Sequence, residues 1–402
     1  VAVGSTPLPP LYPVDGVRIG TAAAGIKRPD RPDLTVMELA AGSHSAAVFT
    51  RNAFCAAPVV VAREHLASFA PRYLVINTGN ANAGTGRRGL ADARAVCTAA
   101  AVLGRCDAAE VLPFSTGVIG EPLPLDRLLA ALPAACADLD ADHWVPAAGA
   151  ILTTDTVPKG ESRRIELEGG SVTLTGIAKG SGMIRPDMAT MLAFVATDAA
   201  IAPATLRRCL ERAVASSFNR ITVDGDTSTN DACMLISTGR GPTVEGDEAI
   251  TVFRNGLVRV MTELAQAIIR DGEGATKFVT LQVEGATTRR EALDVAFTVA
   301  NSPLVKTALY ASDANWGRIL AAVGRAPVEA FDVDRVTIDL GEVRLVEQGG
   351  RAPGYTEAAG SAVMAREEIL IRIDLGRGEA SATVWTNDLS HDYVSINADY
   401  RS

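Results

Sequence analysis

The sequence predicts a mixed α/β protein with a large sheet-based core and a smaller C-terminal α/β domain. Three observations predict it. Short apolar runs alternate with helical patterns through the N-terminal half. The run MLAFVA (191–196) has no polar face to expose, as expected of a strand covered on both sides. From about residue 286 a helical pattern is followed by several strand patterns. At 402 residues the chain is also long for one hydrophobic core.

Taken in order, the apolar runs AAVFT (46–50), APVVVA (57–62) and YLVINTG (73–79) alternate with the helical patterns ADARAVCTAAAVLG (91–104) and PLDRLLAALPAACADL (124–139). After residue 190 the strand MLAFVATD leads to a helix whose start is marked by Pro203 and Thr205. Neither side of residue 190 reads as able to fold alone. A longer helix, 256–272, ends at Gly272 as at a C-terminal cap, and the strand KFVTLQVEG (277–285) follows. The C-terminal region opens with the helix TTRREALDVAF and continues with strand patterns at 335–341, 342–349, 369–376 and 381–388. The expected division is a core over 1–285 and a domain over 286–402. No internal repeat and no flexible linker interrupts it.

With 48% hydrophobic and 21% charged residues the composition is that of an ordinary globular protein. A net charge of -9 argues against nucleic acid or an anionic membrane as partner. No apolar run reaches the roughly 18 residues of a membrane span. The opening VAVGSTPLPPLYPVDG lacks the basic region and apolar core of a signal peptide, so a cytoplasmic location is expected. Cys55, Cys97, Cys106, Cys136, Cys209 and Cys233 form no C-x-x-C pair and are expected to be buried free thiols. His44, His65, His143 and His391 are scattered, and no metal is expected.

The chemistry centres on KGSGMIRPDMATMLAFVATD (179–198), where Thr190 sits between a glycine-rich turn and an apolar run. A threonine hydroxyl is a weak nucleophile without a base beside it, and one solution is the amino group of the same residue, freed by cutting the chain before it. Gly180, Gly182 and Met183 give the preceding turn the backbone freedom that an N-to-O acyl shift uses. The new α-amine, with an ordinary pKa of roughly 7.7–8.0, serves as a base without histidine. A developing oxyanion needs fixed donors, and VLPFSTGVIG (111–120) offers Thr116 and Gly117 in a turn after a strand. Read alone, Thr190 is by default a strand-edge core threonine and Ser-Thr-Gly is an ordinary turn before it is an oxyanion hole. GTGRRG (84–89) matches G-x-G-x-x-G, but TGNANA separates it from the strand, so a Rossmann-type oxidoreductase is a distant competitor.

The 179–198 segment and the S-T-G-x-I-G context resemble the ornithine acetyltransferase family, the glutamate N-acetyltransferases of arginine biosynthesis. The resemblance runs from AAGIK (23–27) and FTRN (49–52) through ITVDGDTSTND (221–231) and NSPLVKTALYASDANWGR (301–318) to the C-terminus; Gly84 and Thr78 depart from it. It implies a layered αββα-type sandwich shared by two chains, 1–189 and 190–402, that arise by self-cleavage between Ala189 and Thr190. It implies transfer of acetyl from N2-acetyl-L-ornithine to L-glutamate by a ping-pong route. Thr190 would be the nucleophile and Thr116 and Gly117 the oxyanion hole. Thr153, Lys179, Glu273, Asn397 and Ser402 would bind substrate with Thr190. The last two require the tail to fold back, with Tyr393, Ile396 and Tyr400 as apolar anchors. No cofactor is expected, acetyl-coenzyme A is open as a second donor, and the fragments should associate as an α2β2 heterotetramer. The competing readings are an N-terminal-nucleophile aminopeptidase or amidase, and a non-catalytic scaffold whose chain stays intact.

Overall fold

A computed structural model of the chain describes residues 2–4, 7–27, 29, 31–185 and 191–399. The chain divides into two compact units. The larger comprises Pro7–Asn219 and Asp226–Ile268. Its strands are β1 (Val17–Ala22), β2 (Leu34–Leu39), β3 (His44–Phe49), β4 (Tyr73–Asn80), β5 (Val111–Val118), β6 (Lys159–Leu167), β7 (Gly170–Lys179), β8 (Leu192–Thr197) and β9 (Ala232–Ser237). Among the described residues they form a four-stranded sheet of order β1-β2-β4-β5 and a five-stranded sheet of order β3-β9-β8-β7-β6.

Two-residue alternation decides which layer each side chain joins. Leu74 and Ile76 of β4 and Leu112 and Phe114 of β5 point to the second sheet and pack with Ile177, Phe194 and Met234. Phe114 and Phe194 meet edge to face, with ring centroids 5.1 Å apart. Their strand neighbours Tyr73, Val75 and Val111 turn the other way, onto α2 (Gly86–Gly104) and α3 (Leu125–Ala137). On the far side of the five-stranded sheet, a Cβ on Gly176 would lie 3.1 Å from Leu264 Cδ1 of α6 (Asp247–Arg270), so a glycine lets helix and sheet approach. The layers therefore run helix, sheet, sheet, helix, the expected αββα sandwich. Strand β8 is the middle of five, antiparallel to β7 and parallel to β9, and all six of its residues are buried. Its sheet joins β3, β6 and β7 from before residue 190 with β8 and β9 from after it.

The smaller unit comprises Val1–Thr6, Arg220–Gly225 and Ile269–Ser402. Its strands β10 (Phe278–Ala286), β11 (Thr337–Leu340), β12 (Val343–Glu347), β13 (Gly350–Arg351), β14 (Glu368–Asp374) and β15 (Ala380–Asn387) form a sheet of order β13-β12-β11-β14-β10-β15. Leu281 and Val283 of β10 pack with Val295 and Val299 of α7 (Arg289–Ala300) in one apolar core. Lys306 of α8 (Pro303–Tyr310) is buried, and its ammonium donates to Thr386 Oγ1 and Asn387 Oδ1, both at 3.0 Å. The NSPLVK block is thus tied to the end of β15. Burial pushes that amine down to about 7.

Three expectations are corrected. The run at 57–62 is the start of a helix, α1 (Ala57–Ser68): Pro58 sits in the first turn, where no N–H is needed, and burial of Val59, Val61 and Ala62 outweighs the β propensity of the valines. The long helix α6 begins at Asp247 and ends at Arg270, and Gly272 is not among the residues at positive φ, so it is no left-handed cap. A Cβ there would lie 2.0 Å from Asn387 Nδ2, and that close approach is what glycine serves. The cysteines are all free thiols, but Cys55, Cys106 and Cys136 are only half-buried.

Candidate active site

Four strand ends of the larger unit converge. Thr116 and Gly117 lie in strand β5 rather than in the turn expected from the sequence, opposite Thr78 and Gly79 of β4 at a register irregularity. Gly117 has φ 138°, and a Cβ would lie 2.2 Å from the Gly79 carbonyl carbon, so only glycine fits. Lys179 closes β7, directly across from Leu192, the first residue of β8. Its ammonium donates to Thr116 Oγ1 at 3.2 Å. The start of β8 is bonded to that of β9 through the Ala232 N–H and the Met191 carbonyl, 3.1 Å.

Sequence reasoning missed Asp155, whose carboxyl links this cluster. Its side chain is sealed from solvent. Oδ1 accepts from Lys159 Nζ and from the Gly180 N–H, both at 2.7 Å. Oδ2 accepts from the Thr153 N–H at 3.1 Å and lies 3.9 Å from Lys179 Nζ. Burial alone would raise this carboxyl, but the two lysines and the hydrogen bonds from Lys159 and Gly180 hold it well below the usual carboxylate range. Asp155 is therefore an anion that fixes Lys179, while Lys179 reaches Thr116. The hint was TTDTVPK, but a carboxylate and a lysine four apart outside a helix have no preferred approach. In the same turn Gly180 has φ 150° and Met183 φ 57°, a conformation that side chains seldom adopt.

The block 221–231 supplies supporting contacts. Asn230 Nδ2 donates to the carbonyls of Ala81 (2.6 Å) and Ser115 (2.8 Å), holding the backbone just before Thr116. Ser115 itself donates to Asn77 Oδ1 at 2.6 Å.

The predicted residues thus fall into groups. Thr116, Gly117, Thr153 and Lys179 come together around Asp155 in the larger unit. In the smaller unit Asn397 Nδ2 donates to Glu273 Oε2 at 2.8 Å. Asn397 lies on a helix, α11 (His391–Ala398), which Tyr393 ties to Asp224 Oδ2 at 3.1 Å and Ser390 ties to the Gly274 carbonyl at 2.6 Å. Tyr393 and Ile396 are half-buried. Ala189, Thr190, Tyr400 and Ser402 lie outside the described residues. Among the described residues no group of three His, Cys, Asp or Glu side chains is arranged to hold a metal ion, and no helix is long and apolar enough to cross a membrane.

The family model described as the ArgJ family matches residues 18–402. The arginine biosynthesis bifunctional protein ArgJ of Pseudomonas syringae pv. tomato is 56% identical over 406 aligned positions, covering 100% of both chains. The protein of the same name from Methylococcus capsulatus is 60% identical over 397 positions, covering 98% of this chain and 97% of that one. A crystal structure of an arginine biosynthesis bifunctional protein argJ from Bacillus halodurans is 37% identical with a TM-score of 0.47, covering 50% of this chain and 95% of that one.

Proposed function

The chain belongs to the ArgJ family, and from that premise we infer that it is an arginine-biosynthesis acetyltransferase that moves acetyl from N2-acetyl-L-ornithine to L-glutamate. The bifunctional name of its relatives supports a second, amino-acid N-acetyltransferase activity with acetyl-coenzyme A as donor. The hydrolase alternative is not favoured, because these relatives are named for biosynthesis over the full length of the chain.

The observation that carries the mechanism is the Lys179–Thr116 bond, with its lysine held by Asp155. A threonine hydroxyl has one proton to give, and the lysine occupies an acceptor position on that oxygen, so the proton is left for another acceptor. We assign that acceptor as the oxyanion of the attacked acetyl group, with the Gly117 N–H as second donor. Thr190 is the nucleophile: once the Ala189–Thr190 bond is cut, its α-amine takes the Oγ proton and Oγ attacks the acetyl carbonyl. The tetrahedral adduct collapses, the amine returns the proton, and ornithine leaves. The glutamate amine then takes the acetyl group from Oγ by the reverse sequence. Thr153 and Lys179, together with Glu273, Asn397 and Ser402, are the proposed binders of the amino-acid frame. The proposal includes association of the 1–189 and 190–402 fragments as an α2β2 heterotetramer in the cytoplasm. The five-stranded sheet supports the association, since it draws strands from both sides of residue 190.

Thr190→Ala tests this reading. Full-length protein on a denaturing gel, without glutamate acetylation from either donor, is expected, while Thr190→Ser still cuts because the attacking oxygen remains. Two fragments from the alanine variant would overturn it.

A further inference from the structure

Within the larger unit, the two residues assigned as oxyanion donors are held from both ends by one buried asparagine and one alanine. Asn230 stands two residues before β9, ahead of the buried Asp231, and is itself buried. Its side-chain nitrogen bridges the carbonyls of Ser115 and Ala81, at 2.8 and 2.6 Å. The Ala81 N–H donates in turn to the Val118 carbonyl at 2.9 Å. The carbonyls of the residue before Thr116 and of the residue after Gly117 are therefore both tied to Ala81, the first through the Asn230 amide and the second directly. The bridge lies where it is needed, because the pairing of β4 with β5 shifts register between Gly79 and Asn80. The amide cannot turn over: Thr229 Oγ1 donates to Asn230 Oδ1, so the oxygen faces a donor and the nitrogen two acceptors. Its segment is anchored too, since the Thr229 carbonyl accepts the Ala56 N–H and the Asp231 carbonyl the Thr50 N–H, both at 3.0 Å.

We propose that Asn230 is a positioning residue for the oxyanion hole: its amide fixes the peptide that leads into Thr116, and with it the direction in which the Thr116 hydroxyl and the Gly117 N–H point. The inference rests on the reading of Thr116 and Gly117 as oxyanion donors. The Ser115 carbonyl shares one rigid plane with the Thr116 nitrogen and Cα, so a bond that fixes the carbonyl fixes the point from which the Thr116 side chain projects. Lys179 holds the far end of that side chain at Oγ1. On the next residue, the backbone of Gly79 leaves Gly117 no room for a Cβ. Thr116 is thus held at its backbone from the entry to β9 and at its hydroxyl from the end of β7. Oxyanion donors are effective when they are aimed before charge develops, because no reorganisation is then needed during the reaction. Without the amide, the Ser115–Thr116 peptide can tilt and carry both donors off target.

The test compares Asn230→Ala, Thr116→Ala, the double variant and Thr229→Val in the full-length chain. Fragment formation is read on a denaturing gel, and kcat is counted per processed chain. Asn230→Ala should lower kcat by about tenfold to thirtyfold with KM for acetylornithine and glutamate within about twofold, as expected of donors misplaced in the transition state. Added to Thr116→Ala, it should lower kcat by less than about threefold further, because the hydroxyl it aims is already gone. Native kcat in folded Asn230→Ala would overturn the proposal. So would losses that simply multiply in the double variant, which is what a purely structural role gives. If Asn230→Ala does not fold, Thr229→Val decides, since it keeps the volume but releases the asparagine oxygen. It should lower kcat by about threefold to tenfold, and native turnover there would overturn the proposal. Near-native turnover of Thr116→Ala would instead remove the oxyanion-hole reading itself, a failure seen in a different variant.

Discussion

Asp155 and Asp231 sit in the same unit, both with buried carboxyls, and they ionise in opposite directions. The loop at 153–159 and the end of β7 surround the aspartate with two ammonium groups, Lys159 and Lys179, and two peptide N–H donors, Thr153 and Gly180, and the carboxylate is held charged. The entry to β9 gives its aspartate only the weaker opposing pull of Ser228, Met191 and Lys179, and there desolvation wins. Burial sets the scale of the shift in each case, but the number and charge of the partners set its sign. The first region therefore supplies fixed charge to Lys179 and Thr116, and the second holds an acid that burial keeps neutral at the entry to β9.

The largest effect that would break this contrast is at Asp155. Asp155→Ala leaves Lys159 and Lys179 facing each other without a counter-charge and should lower the unfolding free energy by about 3–5 kcal/mol in urea denaturation. Because the folded pKa is depressed, the contribution is fully present above the unfolded value of about 3.9 and is lost as pH falls through the folded value. The native minus mutant difference should shrink only in strong acid. A loss under about 1 kcal/mol would mean the two lysines do not depend on this carboxylate.

A smaller effect in energy sharpens the link from the charged cluster to the chemistry. Thr116→Ala should lower kcat by about 10²-fold, as for one oxyanion donor, while stability changes by no more than about 1 kcal/mol. Near-normal turnover would leave Lys179 bonded to a threonine with no part in catalysis.

The smallest effect is expected from Asp231→Asn. A carboxyl with a raised folded pKa lends stability that is fully present below the unfolded value of about 3.9 and is lost as pH rises through the folded value. The asparagine variant, which cannot ionise, should therefore gain on the native protein in thermal melts between pH 4 and pH 8. A constant difference over that range would show that Asp231 has the same charge folded and unfolded, and the contrast with Asp155 would collapse.

Local pattern carried a good part of this architecture. The continuous apolar run 191–196 identified a strand buried on both faces, and β8 is the middle of its sheet. The helices α3 and α5 (Pro203–Ser216) and the strands β10, β11, β12, β14 and β15 were legible from periodicity and turn residues. Thr116 and Lys179 were reached through resemblance to a family motif, and the 3.2 Å bond that joins them is invisible in residues 63 positions apart. The valines of 57–62 pointed away from the helix they form, because α1 is stabilised by neighbours distant in sequence. The first turns of α6, from Asp247, were missed for a similar reason. Asp155 was only hinted at in TTDTVPK, and Asn230 and Asp231 lay in a block, 221–231, that the resemblance covered without giving either a role. A helix or strand is announced by contacts within a few residues, so its period can be read along the chain. The charge of a buried carboxyl depends on partners brought from other strands, such as Lys179 for Asp155, and only the folded sheet decides which partners those are.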